Sequence, residues 1–109
     1  MVEMDNPFTQ TNRAAVIVEH LQVDRGMHVL DAGCGPGRVT LPLAEAVGNE
    51  GSVLALDLQQ GMLDRVQAKV KDKGYNNVHY LQAALGEGKL SLDQYDRRSE
   101  EHTSELQSP

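Results

Sequence analysis

A chain of 109 residues has room for one small domain around one core. Its net charge of −6 argues against a nucleic-acid-binding surface, and a single cysteine excludes an internal disulfide framework. No apolar stretch approaches the roughly 20 residues of a spanning helix, and Met1–Phe8 carries acids but no base, unlike a secretory leader; we expect a cytoplasmic protein away from the membrane.

Alternating helices and strands follow in chain order. Ala14, Ile17, Val18 and Leu21 recur at helical spacing, with Thr11 or Asn12 as N-cap, and this helix ends near Asp24-Arg25-Gly26. A first strand is expected over 28–32. Pro36 suits the first turn of a second helix, where its missing N–H costs nothing. Val39, Leu43, Ala46 and Val47 give that helix its apolar stripe, and Gly48-Asn49 ends it. Leu41 and Pro42 predict some irregularity near its start.

A second strand is expected over 52–57 and a longer helix over 60–73, with Met62, Val66 and Val70 on its apolar face. Lys69, Lys71 and Lys73 crowd its C-terminal end, where the helix dipole favours cations, and they read as a solvated end. Gly74 is its expected C-cap. A third strand is expected over 78–82 after the Asn76-Asn77 turn. Such alternation predicts parallel βαβ units with right-handed crossovers.

Two motifs carry the chemistry. Asp31-Ala32-Gly33-Cys34-Gly35-Pro36-Gly37 follows the apolar Val29-Leu30. Glycines let a backbone turn sharply and approach a ligand closely. The neighbouring acid suits a cationic or hydroxyl-rich partner. The second motif, Val53-Leu54-Ala55-Leu56-Asp57, ends in an acid 20 residues after Gly37. In nucleotide-binding α/β folds an acid at about that distance accepts hydrogen bonds from ribose hydroxyls. The dinucleotide pattern G-x-G-x-x-G would place its third glycine at Arg38. The spacing here is acid-x-G-x-G-x-G, which disfavours an NAD-type oxidoreductase.

These motifs resemble the first and second motifs of class I S-adenosylmethionine-dependent methyltransferases. The resemblance runs from about residue 12 to about residue 96, and its nearest flavour is the small-molecule type, including quinone-biosynthesis C-methyltransferases. It implies a Rossmann-like α/β fold, S-adenosyl-L-methionine as cofactor and a small-molecule methyl acceptor. It also implies roles for single residues. Asp31 would meet the methionine end of the cofactor. Ala32, Gly33, Cys34, Gly35 and Gly37 would bring backbone against it. Asp57 would bind both ribose hydroxyls, and Leu58 would pack on adenine. The family often has an acid after the third strand for the adenine amino group. Here that stretch reads Gln82-Ala83-Ala84-Leu85, with Ala84 as the match, so Gln82 or a backbone group would have to substitute.

Other residues read more plainly. Cys34 between glycines is a small filler with no neighbouring histidine to activate it. The scattered His20, His28, His79 and His102 give no metal-ligand spacing. Phe8, Thr9 and Arg13 are candidates for a lid. No catalytic residue is assigned, and the oligomeric state cannot be read. Arg98–Pro109 is polar, with Leu106 its one large apolar residue, and cannot bury enough surface to order itself. Arg98–Ser108 also resembles the conceptual translation of a sequencing adapter, which implies a library artefact joined to a truncated gene. The expected organisation is therefore a partial methyltransferase domain over 1–97 and a disordered tail over 98–109. Only the N-terminal half of the fold, about three parallel strands, is expected. The first strand would then be an exposed apolar edge, leaving a marginally stable and inactive fragment. The chain reads as a truncated methyltransferase; the alternatives are an NAD-type oxidoreductase fragment and a non-functional or binding-only fragment.

Overall fold

A computed structural model describes residues 15–83 and 94–100. Helix α1 is described over 15–21. It is followed by β1 (His28–Ala32), α2 (Thr40–Val47), β2 (Ser52–Asp57), α3 (Gln60–Lys73), β3 (Val78–Gln82) and β4 (Arg97–Glu100). All strand pairs are parallel, in the order β3-β2-β1-β4. The expected bounds of β1, β2, β3 and α3 all match. Thr11, Asn12, Ala14 and the lid candidates Phe8, Thr9 and Arg13 lie outside the described residues.

Parallel strands buried on both faces read as near-continuous apolar runs, and β1 and β2 do so. One face carries the main core. There Val29, Val53, Ala55 and Val78 pack with Leu43 and Val47 of α2 and with Leu63, Val66 and Val70 of α3. Ile17, Val18 and Leu21 of α1 pack against the same cluster. The other face gathers Leu30, Ala32, Leu56 and Ala83, with Leu54, Leu81 and Tyr95 beside them. Each large side chain so buried contributes roughly 1.5–3 kcal/mol.

Two helices differ from expectation in detail. Helix α2 begins at Thr40, four residues after Pro36, because the glycine turn continues through Gly37. Pro42 then falls within the first turn, where its missing N–H breaks no helical bond. The buried side of α2 is Thr40, Leu43, Ala44 and Val47, so Ala44 stands where Ala46 was expected. On α3 it is Leu63, not Met62, that is buried with Val66 and Val70. Gly74 caps α3 in the left-handed region, as expected.

The last carbonyls of α2 are met from elsewhere in the chain. Gly26 N–H donates to the Val47 carbonyl at 2.8 Å. The buried Asn77 amide nitrogen donates to the carbonyls of Ala44 at 2.9 Å and Gly48 at 2.8 Å. Asn77 therefore does more than turn the chain: it ties the start of β3 to the end of α2.

The expectation of three strands falls one short. Arg97–Glu100 pairs in parallel with β1, so β1 is an interior strand and not the exposed edge anticipated for it. Arg98, Ser99 and Glu100, assigned above to a disordered tail, lie in this strand. The reason is that strand pairing is made by backbone groups, which a polar sequence carries as well as an apolar one. Flanking contacts hold the register. Asp96 N–H donates to the His28 carbonyl at 2.7 Å, and His28 N–H to Asp96 Oδ2 at 2.8 Å. Arg97 Nε donates to the Leu21 carbonyl at 2.6 Å, tying β4 to α1. Residues 101–109 lie outside the described residues.

Two glycines outside the motif separate crowding from backbone freedom. A Cβ on Gly51 would lie 2.3 Å from the Met27 carbonyl oxygen and 2.6 Å from Val47 Cβ. Gly51→Ala is expected to cost about 2 kcal/mol or more. A Cβ on Gly61, exposed in the first turn of α3, meets nothing within 4 Å among the described residues. Gly61→Ala is expected to raise stability by up to about 1 kcal/mol. Urea unfolding midpoints of the two variants should move in opposite directions.

Candidate functional site

Strands β1, β2 and β3 end side by side, so Asp31, Asp57 and Gln82 share the carboxyl edge of the sheet. Open parallel sheets bind ligands beyond that edge. The glycine turn leaves β1 there and hooks back over β2. Gly33 N–H and Cys34 N–H both donate to the Leu56 carbonyl, at 2.7 and 3.0 Å.

Asp57 joins this turn to the next one. Its Oδ2 accepts from Gly35 N–H at 3.0 Å and its Oδ1 from Gln59 N–H at 2.8 Å. Each carboxylate oxygen has about two acceptor sites, so each keeps capacity for one more donor. The sequence placed Asp57 at the site but not in this role. A downstream acid's bond to the glycine-turn backbone has no signature in composition or spacing.

Gly35 and Gly37 serve the turn differently. A Cβ on Gly37 would approach Val66 Cγ2 to 3.2 Å, so the turn seats closely on α3. A Cβ on Gly35 would meet nothing within 4 Å among the described residues, although φ there is +56°. Among the described residues, then, nothing fills the space over the middle of the turn, beside the carboxylate of Asp57. Leu58, next in sequence, keeps 61% of its surface exposed. An open glycine face, a carboxylate with spare acceptor capacity and an exposed leucine fit a nucleoside with a hydroxylated sugar and an apolar base.

Asp31 is fully buried, and its Oδ2 accepts a short hydrogen bond from the Thr40 hydroxyl. Thr40 opens α2, so strand end and helix start are fixed together. The sequence reading missed Thr40. The available signal was a hydroxyl residue at the helix start, displaced from view by Pro36. Lys69 was also misread as part of a solvated helix end. Its Nζ donates to the Pro36 carbonyl at 2.8 Å and ties α3 to the glycine turn, because one turn of α3 passes beside that turn. Cys34 is fully buried in the main core, in keeping with its reading as a filler. Ala32 is buried at the end of β1. Ala84 lies outside the described residues. Among the described residues no cluster of three metal-ligating side chains occurs, and no helix is long and apolar enough to cross a membrane.

A family model for the methyltransferase domain matches residues 29–99. The chain belongs to the methyltransferase domain family. This membership sets aside the NAD-type reading. The demethylmenaquinone methyltransferase of Geobacillus stearothermophilus is 42% identical over 65 residues, covering 60% of this chain and 28% of that protein. The ubiquinone/menaquinone biosynthesis C-methyltransferase UbiE of Vibrio campbellii is 38% identical over 72 residues, covering 65% of this chain and 28% of that protein. The chain thus spans little more than a quarter of the length of these relatives. Among solved structures, a SAM-dependent methyltransferase from Aquifex aeolicus superposes with a TM-score of 0.66 at 29% identity, over 81% of this chain and 47% of that one.

Below the turn, Tyr80 of β3 packs against the main core. Burial first, and the nearby Cys34 thiol second, hold its phenol above the ordinary value of 10.0. In the unfolded chain the phenol ionises near pH 10, whereas the folded protein keeps the proton to higher pH. The stabilisation is therefore complete below about pH 10 and is lost as pH rises through the folded value. Thermal melts between pH 8 and pH 11 should show an alkaline loss of stability that is smaller in Tyr80→Phe.

Proposed function

We propose that this chain is the cofactor-binding part of an S-adenosylmethionine-dependent methyltransferase acting on a small-molecule acceptor. The observation that carries this reading is the Asp57 carboxylate. It bridges the two turns at the carboxyl edge of the sheet and keeps one acceptor site on each oxygen. Two vicinal ribose hydroxyls would use those sites. Leu58 would cover the base, and the open face of Gly35 would admit the rest of the cofactor.

Asp31, held by Thr40, would serve the amino end of the methionine moiety. Ala32, Gly33, Cys34 and Gly37 would shape the wall, and Ala84 would lie near the base. When bound, the cofactor supplies an activated sulfonium methyl group. The protein's part is then to hold the reacting groups in line and exclude competing geometry, which can account for much of a barrier reduction. Similarity to demethylmenaquinone and ubiquinone/menaquinone methyltransferases supports a quinone-like acceptor. The matched region covers 28% of these relatives, and for these 109 residues by themselves we expect cofactor binding without turnover.

Calorimetric titration with S-adenosylhomocysteine, with NAD as control, tests the reading. Selective binding of the homocysteine compound, weakened roughly tenfold or more in Asp57→Ala, is the expected result. Equal binding of NAD, or an unaffected Asp57→Ala of native circular dichroism, would overturn it.

A further inference from the structure

Helix α3 meets the glycine turn through two residues of one face. Gly37 seats against Val66, and Lys69, three positions on, donates from Nζ to the Pro36 carbonyl at 2.8 Å. That carbonyl and the Gly37 N–H belong to one peptide unit, and the N–H donates to the Cys34 carbonyl at 3.1 Å. The unit is thus held at both of its polar ends. Pro36 has its φ fixed by its ring. The joints before and after it are Gly35 and Gly37, at φ of +56° and +96°, and glycine is the residue whose backbone rotates most freely. Asp57 pins the first joint through the Gly35 N–H, and Lys69 pins the second through the Pro36 carbonyl. A carboxylate and an ammonium therefore hold successive parts of the turn.

We infer that Lys69 is a positioning residue for the cofactor: by holding the Pro36–Gly37 peptide it fixes the turn beneath the amino-acid end of the ligand, without touching the ligand. This inference rests on the cofactor reading above, in which Asp57 and Leu58 hold the nucleoside and the open face of Gly35 admits the remainder. A turn left to rotate at two glycines would have to be ordered when the ligand binds, and that cost would lower the affinity. The ammonium orders the turn beforehand. Asp57 and Leu58 belong to the end of β2 and the residue after it, not to the segment that Lys69 holds. The effect of Lys69 therefore falls on the amino-acid end more than on the nucleoside.

The test is calorimetric titration of the full chain with S-adenosylhomocysteine and with 5′-methylthioadenosine, which carries the nucleoside without the amino-acid end. Lys69→Met keeps the aliphatic stem and removes the ammonium. It should weaken binding of S-adenosylhomocysteine roughly fivefold and of 5′-methylthioadenosine by less than about twofold. Lys69→Arg restores a cationic donor and should recover most of the loss. Lys71→Met, the same change at an exposed lysine two residues along, should leave both affinities within about twofold of wild type. Equal weakening of both ligands in Lys69→Met, or weakening of neither, would overturn the inference while the cofactor reading stands. A loss that Lys71→Met reproduces would overturn it too, because it would report the charge of the helix and not the bond to Pro36. Wild-type binding of neither compound would remove the cofactor reading, and this inference with it.

Discussion

Two backbone N–H groups from different turns converge on one carboxylate, and the carboxyl edge of the sheet depends on that convergence. Gly35 and Gln59 both donate to Asp57, one to each oxygen. Past Ala32 the glycine turn leaves its strand and needs partners for its N–H groups. Leu56 supplies one through its carbonyl, and Asp57 supplies another through its side chain. Hydrogen bonds to a charged acceptor are stronger than neutral ones. One residue thus holds both turns while each of its oxygens keeps a second acceptor site. In the proposed reading the same carboxylate that supports the two turns would also meet the ligand.

The helices complete the constraint from the main-core face. Gly37 seats on Val66, and Lys69 reaches the Pro36 carbonyl, so the turn rests on α3 at two points. Thr40 links α2 to the buried Asp31. At the other end of α2, Gly26 and Asn77 satisfy its last carbonyls. A buried polar group is costly when unmatched, so these side chains set where each helix lies against the sheet. The site's geometry is consequently inherited from helix packing as much as from the motif.

Strand β4 is held differently from its neighbours. β1 and β2 are apolar and would be driven into the interior by burial alone. β4 reads Arg97-Arg98-Ser99-Glu100, and of these only Ser99 is buried. Its place beside β1 comes from the parallel backbone ladder and from the contacts of Asp96 and Arg97. No hydrophobic pattern announces such a strand, which is why a reading based on apolar runs ended the sheet at three.

The sequence by itself determined the strands β1 to β3, helix α3 and the identity of the motif residues. Each of those rests on local information: an apolar run, a helical period, a glycine cap, an acid at a fixed distance. Tertiary structure decided the rest. Leu63 and Met62 fit the helical period equally, and only the rotation of α3 against the sheet chose Leu63. The start of α2 was set by how far the glycine turn had to travel over β2, not by Pro36. Thr40, Lys69 and the latch from Gln82 to Leu58 join residues 9, 33 and 24 positions apart. Side-chain hydrogen bonds over such separations leave no periodic trace in a chain. They exist only once the sheet has brought its strand ends together.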